Sequence, residues 1–117
     1  MSPLPAGADR ISRIRQLNDM LRGLPLPPLG QLVLTAGVTA LAADDLAAVL
    51  DQVCGFDAFT PDNDPYGEHD FGAFDHAGTR YFWKIDYYDL AMEMHSPDPA
   101  DPTVTRRVLT VMRANEY

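Results

Sequence analysis

The chain has 117 residues, of which 46% are hydrophobic, and a formal net charge of −8. This size suits one domain with one core and excludes two. No apolar run approaches the roughly 18 residues of a membrane span, and "MSPLPAGADR" lacks the basic start and apolar stretch of a secretory signal. We therefore predict a soluble, cytoplasmic, single-domain protein. Its one cysteine, Cys54, cannot form an internal disulfide.

The negative charge is concentrated in the middle of the chain. No Lys or Arg occurs between Arg22 and Arg80. The same interval holds nine carboxylates, namely Asp44, Asp45, Asp51, Asp57, Asp62, Asp64, Glu68, Asp70 and Asp75. Nucleic-acid binders concentrate Lys and Arg instead, so we expect no direct contact with a phosphate backbone. A partner protein with a basic surface fits this section better.

The first half of the chain predicts two helices and a strand. Residues 1–8 contain two prolines and a glycine, which is typical of a flexible arm, and 9–117 form the domain. Helical spacing of apolar residues predicts a helix over 10–22 with Asp9 as its N-cap. A proline-rich connector at 24–30 precedes a buried strand over 31–37. A second helix is predicted over 43–54, where Cys54 is expected to be a small core residue rather than a nucleophile.

The second half predicts a β-meander and a final helix. A hairpin is expected at 71–88, with Tyr81, Trp83, Ile85 and Tyr87 on the core face of its second strand. Residues 90–96 are predicted to return as a third antiparallel strand. After a stiff connector, Asp101 and Pro102 suit the start of a helix that ends near residue 115. The fold class is α+β: one domain with a small, mainly antiparallel sheet, formed by a β-meander plus one further strand, and about three helices packed on it.

Seven arginines lie on the two outer predicted helices, at Arg10, Arg13, Arg15, Arg22, Arg106, Arg107 and Arg113. Such residues could contact nucleic acid, but the acid-rich middle of the chain would repel it. We therefore interpret them as solvated helix faces.

One stretch, "FDAFTPDNDPYGEHDFGAFD" at 56–75, combines six carboxylates with prolines and aromatic rings. Together with "FWKIDYYD" and "SPDPADPTVTRRVLTVMRANEY", it resembles a small bacterial family of unknown function, DUF3768. The resemblance runs from "IRQLND" at 14 to Tyr117. It implies a single-domain protein associated with plasmids and other mobile elements, and it implies no activity. No site residue can be transferred from it.

The same stretch could hold a metal ion through Asp62, Asp64, Glu68, His69 and Asp70, since hard oxygen ligands at alternate positions suit Ca²⁺ or Mg²⁺. An EF-hand loop that began at Asp62 would fail at its fifth position, Tyr66, and at its twelfth, Ala73. Paired cysteines for zinc are also absent. A small metal-dependent enzyme or metal-binding protein is therefore the alternative hypothesis.

A structural role explains the stretch more directly than a metal site does. Asx-Pro and Thr-Pro dipeptides favour turns, so Asp62, Asn63 and Asp64 are expected to accept backbone N–H bonds. Aromatic rings at Phe56, Phe59, Tyr66, Phe71 and Phe74 would then hold the loop on the sheet. Acid/base chemistry would need Glu68 and His69 beside Lys84, Asp86 and Tyr88, but no nucleophile motif accompanies them, and Lys84 with Asp86 also reads as a solvated pair.

The first hypothesis is a non-enzymatic, acidic protein-binding module that needs no cofactor. Its predicted surface consists of Asp57, Asp62, Asn63, Asp64, Tyr66, Glu68, His69, Asp70, Lys84, Asp86 and Tyr88. Its most concrete version is an anti-defence inhibitor, of the anti-CRISPR or anti-restriction type, that occupies a basic nucleic-acid-binding surface of a host nuclease complex. A homodimer formed through the open sheet face, or through the edge near Met92 and Met94, is compatible with it.

Overall fold

A computed structural model describes residues 6–117, with side chains from residue 10 onward. The elements are α1 (Ala6–Gly23), β1 (Gln31–Leu34), α2 (Ala36–Thr39), α3 (Ala43–Cys54), β2 (Phe71–His76), β3 (Thr79–Tyr88), β4 (Arg106–Arg113) and a short 3₁₀-helix (Ala114–Glu116). Residues 1–5 of the predicted arm lie outside the described residues, and α1 begins before the predicted N-cap, Asp9. Within residues 6–117, no helix is both long and apolar enough to cross a membrane.

The four strands form one sheet in the order β1-β4-β3-β2. Strands β2, β3 and β4 are antiparallel neighbours, which makes them a meander. Strand β1 joins the other side of β4 in parallel, with Gln31 opposite Val108. The α+β class and a mainly antiparallel sheet of a meander plus one further strand are therefore confirmed, but the third strand of the meander is β4 and not the predicted segment 90–96. The predicted strand over 31–37 ends at Leu34, and the short α2 follows it.

The core lies between one face of the sheet and the helices. On β3, the alternate residues Tyr81, Trp83, Ile85 and Tyr87 are all at most 9% exposed, as the alternation predicted. Helices α1 and α3 pack on this face of the sheet through Ile14, Leu21, Val49 and Val53. Burial of this apolar set is the main stabilising contribution to the fold. The opposite face of the sheet carries Phe82, Lys84, Asp86 and Tyr88.

The prediction of a C-terminal helix is wrong, because residues 106–113 form β4. Asp101 does cap a turn, since its Oδ1 accepts from the Thr103 amide at 2.9 Å, but no helix follows. Strand β4 is buried on both faces, with Leu109 and Val111 on one side and Val108 and Met112 on the other. A strand buried on both faces loses its alternation, so the spacing of its apolar residues imitated a helix.

The predicted strand over 90–96 is also wrong. Asp89 folds this segment into a turn, because its Oδ1 accepts from the amides of Glu93 at 3.0 Å and Met94 at 3.4 Å. Met92 has a positive φ of 61°, and only an isolated bridge joins Tyr88 to His95. Met94 is 71% exposed. The structure thus has no strand edge at Met92 and Met94 within the described residues.

Cys54 is exposed, which contradicts its predicted place in the core. It is the last residue of α3, one position after the buried Val53. Its Sγ lies 3.9 Å from the Gly23 carbonyl oxygen. The apolar stripe of α3 therefore ends at Val53, and Cys54 is not part of it.

The Gly72 position tests how closely β2 and β3 pack. A Cβ atom at Gly72 would lie 2.2 Å from the indole Nε1 of Trp83, which is fully buried. We expect Gly72→Ala to lower the free energy of unfolding by about 3 kcal/mol, because the ring must move out of a packed core. Urea denaturation monitored by circular dichroism measures this loss.

The matched control is Gly23→Ala. A Cβ atom there meets nothing within 4 Å, so its effect should stay within about 0.5 kcal/mol. Equal stability of the two variants would contradict the proposed packing of Trp83 on Gly72.

Candidate functional site

The start of the acidic loop, residues 56–70, is held on the core by aromatic contacts. The rings of Phe56 and Phe59 meet Trp83 edge-on, with centroids 5.5 and 6.1 Å away. The Arg22 guanidinium lies 4.7 Å from the Trp83 ring and donates to the carbonyl oxygens of Val53 at 3.0 Å and Phe56 at 2.8 Å. Arg22 is therefore a buried tie between α1, α3 and the loop, rather than part of the solvated helix face that was predicted.

The middle of the loop is closed by side-chain to backbone hydrogen bonds. Asn63 Oδ1 accepts from the Thr60 amide at 2.8 Å, and its Nδ2 donates to the Ala58 carbonyl at 2.9 Å. Asp64 Oδ1 accepts from the His69 amide at 3.2 Å, and the Asp64 side chain is only 6% exposed. The turn chemistry predicted for Asn63 and Asp64 is confirmed, whereas Asp62 is exposed and accepts no backbone N–H bond among the described residues. These bonds fix the loop conformation.

His69 joins the loop to α1. Its ring stacks on Phe59, with centroids 3.7 Å apart and planes within 4° of parallel. Its Nδ1 lies 2.8 Å from Asp19 Oδ1, and its Nε2 lies 3.6 Å from Asp64 Oδ2. The histidine therefore bridges two carboxylates, a local role that its sequence neighbours alone did not reveal.

A buried polar network lies at the end of the loop. Arg107 Nε donates to Asn18 Oδ1 at 2.9 Å. Asn18 Nδ2 donates to the Tyr87 hydroxyl at 2.7 Å and to the Glu68 carbonyl at 3.0 Å. The Tyr87 hydroxyl in turn donates to Glu68 Oε1 at 3.0 Å. A second donor of Arg107, Nη2, reaches the Pro99 carbonyl. The chain of bonds connects α1, β3, β4 and the loop.

Burial shifts the acid-base behaviour of this network. It raises the pKa of Tyr87 far above its ordinary value, and the nearby Glu68 and Asp70 carboxylates add to this effect. Burial also lowers the pKa of Arg107. The Tyr87 hydroxyl therefore keeps its proton and acts as a donor to Glu68.

This network was not predicted from the sequence, for two reasons. Arg107 was expected on a solvated helix face but is 3% exposed on β4. Asn18 is fully buried, and it falls within the apolar stripe of α1 between Ile14 and Leu21. A polar residue inside an apolar stripe was a usable signal, since a buried amide needs partners.

An open cleft of about 660 Å³ lies between α1, the loop end and residues 95–99. Tyr87 forms part of its floor, and Ile11 and Ile14 line it from α1. Glu68 and Asp70 also line it, as does Tyr66. Tyr66 is 73% exposed, so it does not hold the loop on the sheet as predicted.

Asp70 is the electrostatically unusual carboxylate of this cleft. Burial raises its pKa above the ordinary 3.8, and the negative charge of Glu68 raises it further. Asp64 and Asp86 contribute in the same direction. The Asp70 carboxylate forms no hydrogen bond or ion pair with another side chain among the described residues, and only a hydrogen bond with its own backbone opposes the rise of its pKa. The ionised form is therefore disfavoured where it stands.

The predicted surface residues fall into separate groups. Asp57, Asp62 and Asn63 are exposed at the start of the loop, while Asp64, Glu68, His69 and Asp70 turn inward. Lys84, Asp86 and Tyr88 lie on the opposite face of the sheet, where Lys84 Nζ and Asp86 Oδ2 are 2.9 Å apart and each side chain is more than a third exposed. The structure therefore does not bring Glu68 and His69 beside Lys84 and Asp86.

The five residues of the metal hypothesis do not converge on one point. Asp64 and His69 face each other, whereas Glu68 accepts from Tyr87. Among residues whose side chains are described, no group of three or more His, Cys, Asp or Glu is placed to hold a metal ion. Metal binding therefore remains a prediction from the sequence, because these five residues do not surround a common point.

Fold and site together define a small α+β protein with a rigid acidic loop beside a cleft. A sequence model of the family described as "Protein of unknown function (DUF3768)" matches residues 34–116. The chain therefore belongs to this family, and the match includes the whole acidic loop. The comparisons with curated proteins and with solved structures found no match.

Removal of Asn18 tests the buried network. We expect Asn18→Ala to lower the free energy of unfolding by about 3 kcal/mol, because Arg107 Nε and the Glu68 carbonyl would lose a buried partner. Thermal and urea denaturation measure the change. Asn115→Ala is the control, since Asn115 is exposed and its loss should cost less than about 0.5 kcal/mol. A cost for Asn18→Ala no larger than the control would contradict the network.

The raised pKa of Asp70 makes stability depend on pH. The pKa of Asp70 is higher in the folded state than in the unfolded state, so ionisation of this carboxyl group increasingly destabilises the folded protein as the pH rises through and above 3.8. We expect Asp70→Asn to have a higher melting temperature than the wild type at pH 7, and this advantage should shrink as the pH falls toward 4. Melting curves from pH 4 to 7 check this, with exposed Asp75→Asn as the control. A lower melting temperature for Asp70→Asn at pH 7 would contradict it.

Proposed function

We propose that this protein is a non-enzymatic, acidic binding module that docks on a basic surface of another protein in the cytoplasm. One observation carries the proposal. Asp44, Asp51, Asp57 and Asp62 are exposed in a section of the chain that contains no Lys or Arg. We call these four residues the exposed acidic set.

The exposed acidic set is presented by ordered structure. Asp44 and Asp51 are seven residues apart on α3, so they project from the same side of the helix two turns apart. Asp57 and Asp62 follow in the loop, where Phe56 and the Asn63 turn hold the backbone. Carboxylates on a fixed frame lose little entropy when they meet a complementary surface.

The charge pattern favours a basic partner over other ligands. Complementary potentials accelerate encounter and orient the partner. The absence of bases between Arg22 and Arg80 leaves these carboxylates without cations nearby in the sequence. Surfaces that hold nucleic acid concentrate Lys and Arg, so they are the matching class.

The most concrete form of the proposal is an anti-defence inhibitor of the anti-CRISPR or anti-restriction type. Such an inhibitor would occupy the surface on which a host nuclease complex holds nucleic acid. The resemblance to a family associated with mobile elements supports this form, as does the chemistry of the exposed acidic set. No catalytic step is part of it.

The test compares variants that remove equal charge. We expect Asp57→Asn combined with Asp62→Asn to weaken binding to a purified host nuclease complex at least tenfold and to reduce its salt dependence, because rim charges act mainly on association. Asp64 and Glu68 are left intact, since they accept hydrogen bonds that hold the loop. Biolayer interferometry at several salt concentrations against a panel of RNA-guided and restriction complexes measures the effect.

The matched control is Asp75→Asn combined with Glu93→Gln. Asp75 already pairs with Arg80 at 3.4 Å, and Glu93 lies on the 89–96 turn, outside the acidic loop. The control should bind like the wild type. Absence of binding to every complex in the panel, or equal loss in both double variants, would overturn the proposal.

A further inference from the structure

We propose that the cleft between α1, residues 66–70 and residues 95–99 binds a guanidinium group, namely an arginine side chain of the partner protein. The identity of the partner rests on the proposed function. The chemistry of the cleft does not, so a free arginine derivative can test it alone. The cleft is distinct from the exposed acidic set.

The walls of the cleft suit a long amphipathic side chain. Ile11 and Pro97 supply accessible apolar surface, whereas Ile14 and Tyr87 line the cleft from below with only 2% and 9% of their surface exposed. The volume of about 660 Å³ is ample for one arginine side chain. Such a side chain buries its methylene stem on apolar surface and keeps its charged head near polar groups.

The carboxylates supply the specific part of the site. Glu68 Oε1 accepts from the Tyr87 hydroxyl, which orients the carboxylate and leaves Oε2 able to accept another bond. Asp70 has no side-chain partner among the described residues and is half-buried beside Glu68. Two neighbouring carboxylates in a partly desolvated cleft repel each other, and a bound cation would relieve this repulsion. The site is therefore built as an acceptor for positive charge.

The cations already near the cleft do not fill this role. Arg10 lines the rim, but its Nε lies 3.2 Å from Asp98 Oδ1 and its side chain is half-exposed. Arg107 lies beneath Tyr87, with its guanidinium 5.1 Å from the ring, and donates to Asn18 and Pro99. His95 Nδ1 donates to the Ser96 carbonyl oxygen at 2.9 Å, because that oxygen can only accept, so this N–H is already used within the protein.

A guanidinium fits better than a metal ion or an ammonium group. The side chains do not provide three converging ligands for a metal among the described residues. A guanidinium is planar, stacks on aromatic rings such as the exposed Tyr66, and presents several donors at once to two carboxylates. An ammonium is a compact, strongly hydrated charge that gains less from such walls.

The experiment titrates the ¹⁵N-labelled full chain with N-acetyl-arginine methylamide and follows amide chemical shifts. The neutral citrulline derivative and the lysine derivative serve as matched probes. We expect saturable shifts confined to residues 10–14, 66–70 and 87 and to the amides of His95, Ser96 and Asp98 with the arginine probe, at least threefold weaker binding of lysine, and no saturation with citrulline. Asp70→Asn should weaken the arginine affinity at least fivefold. Asp75→Asn, at the other end of β2, should leave it unchanged.

Several outcomes would overturn the assignment: no saturable shift in the cleft, equal binding of the citrulline probe, or equal affinity of Asp70→Asn and the wild type. Preferential binding of lysine would overturn the guanidinium choice. Failure of the proposed function looks different. In that case the arginine probe binds the cleft, while the double variant Asp57→Asn with Asp62→Asn binds the nuclease complexes as the wild type does.

Discussion

The contact between Trp83 and Arg22 is the point on which the rest of the structure depends. The indole is fully buried over Gly72, where any larger residue would overlap it. The guanidinium of Arg22 lies over the same ring and donates to carbonyl oxygens at the end of α3 and the start of the acidic loop. A planar cation satisfies carbonyls and covers an aromatic face at once. Two helices, the sheet and the loop are thereby fixed relative to one another.

The second organising feature is the polar network at the other end of the loop. Asn18 accepts from Arg107 and donates to Tyr87, and Tyr87 donates to Glu68. Each buried group has a partner, so the network holds a defined arrangement instead of destabilising the core. Its consequence for function is geometric. The Glu68 carboxylate is held at the cleft wall by a tyrosine that keeps its proton.

Some carboxylates of the acidic loop stabilise the fold through hydrogen bonds, and others are exposed to solvent. Asp64 caps the His69 amide and is almost fully buried, while Glu68 belongs to the polar network. Asp57 and Asp62 face solvent instead. Net charge alone therefore overstates the binding surface, because hydrogen bonds within the fold occupy part of it. The remaining exposed acids and the unpaired Asp70 are the groups with charge to offer a partner.

The sequence by itself determined the features that depend on neighbours along the chain. The alternation of Tyr81, Trp83, Ile85 and Tyr87 placed the core face of β3, and the Pro and Asx residues of the loop predicted the turns at Asn63 and Asp64. The concentration of acidic residues between Arg22 and Arg80 was also evident from the sequence, because the residues can be counted directly. Only the tertiary structure decided the state of residues 106–113, since burial on both faces of a central strand removes the alternation that marks a strand. It also decided that Arg22 and Arg107 are buried and that Glu68 and Asp70 share a cleft with α1. Those outcomes depend on partners up to 89 positions away, as with Asn18 and Arg107, and no local pattern specifies contacts at such separations.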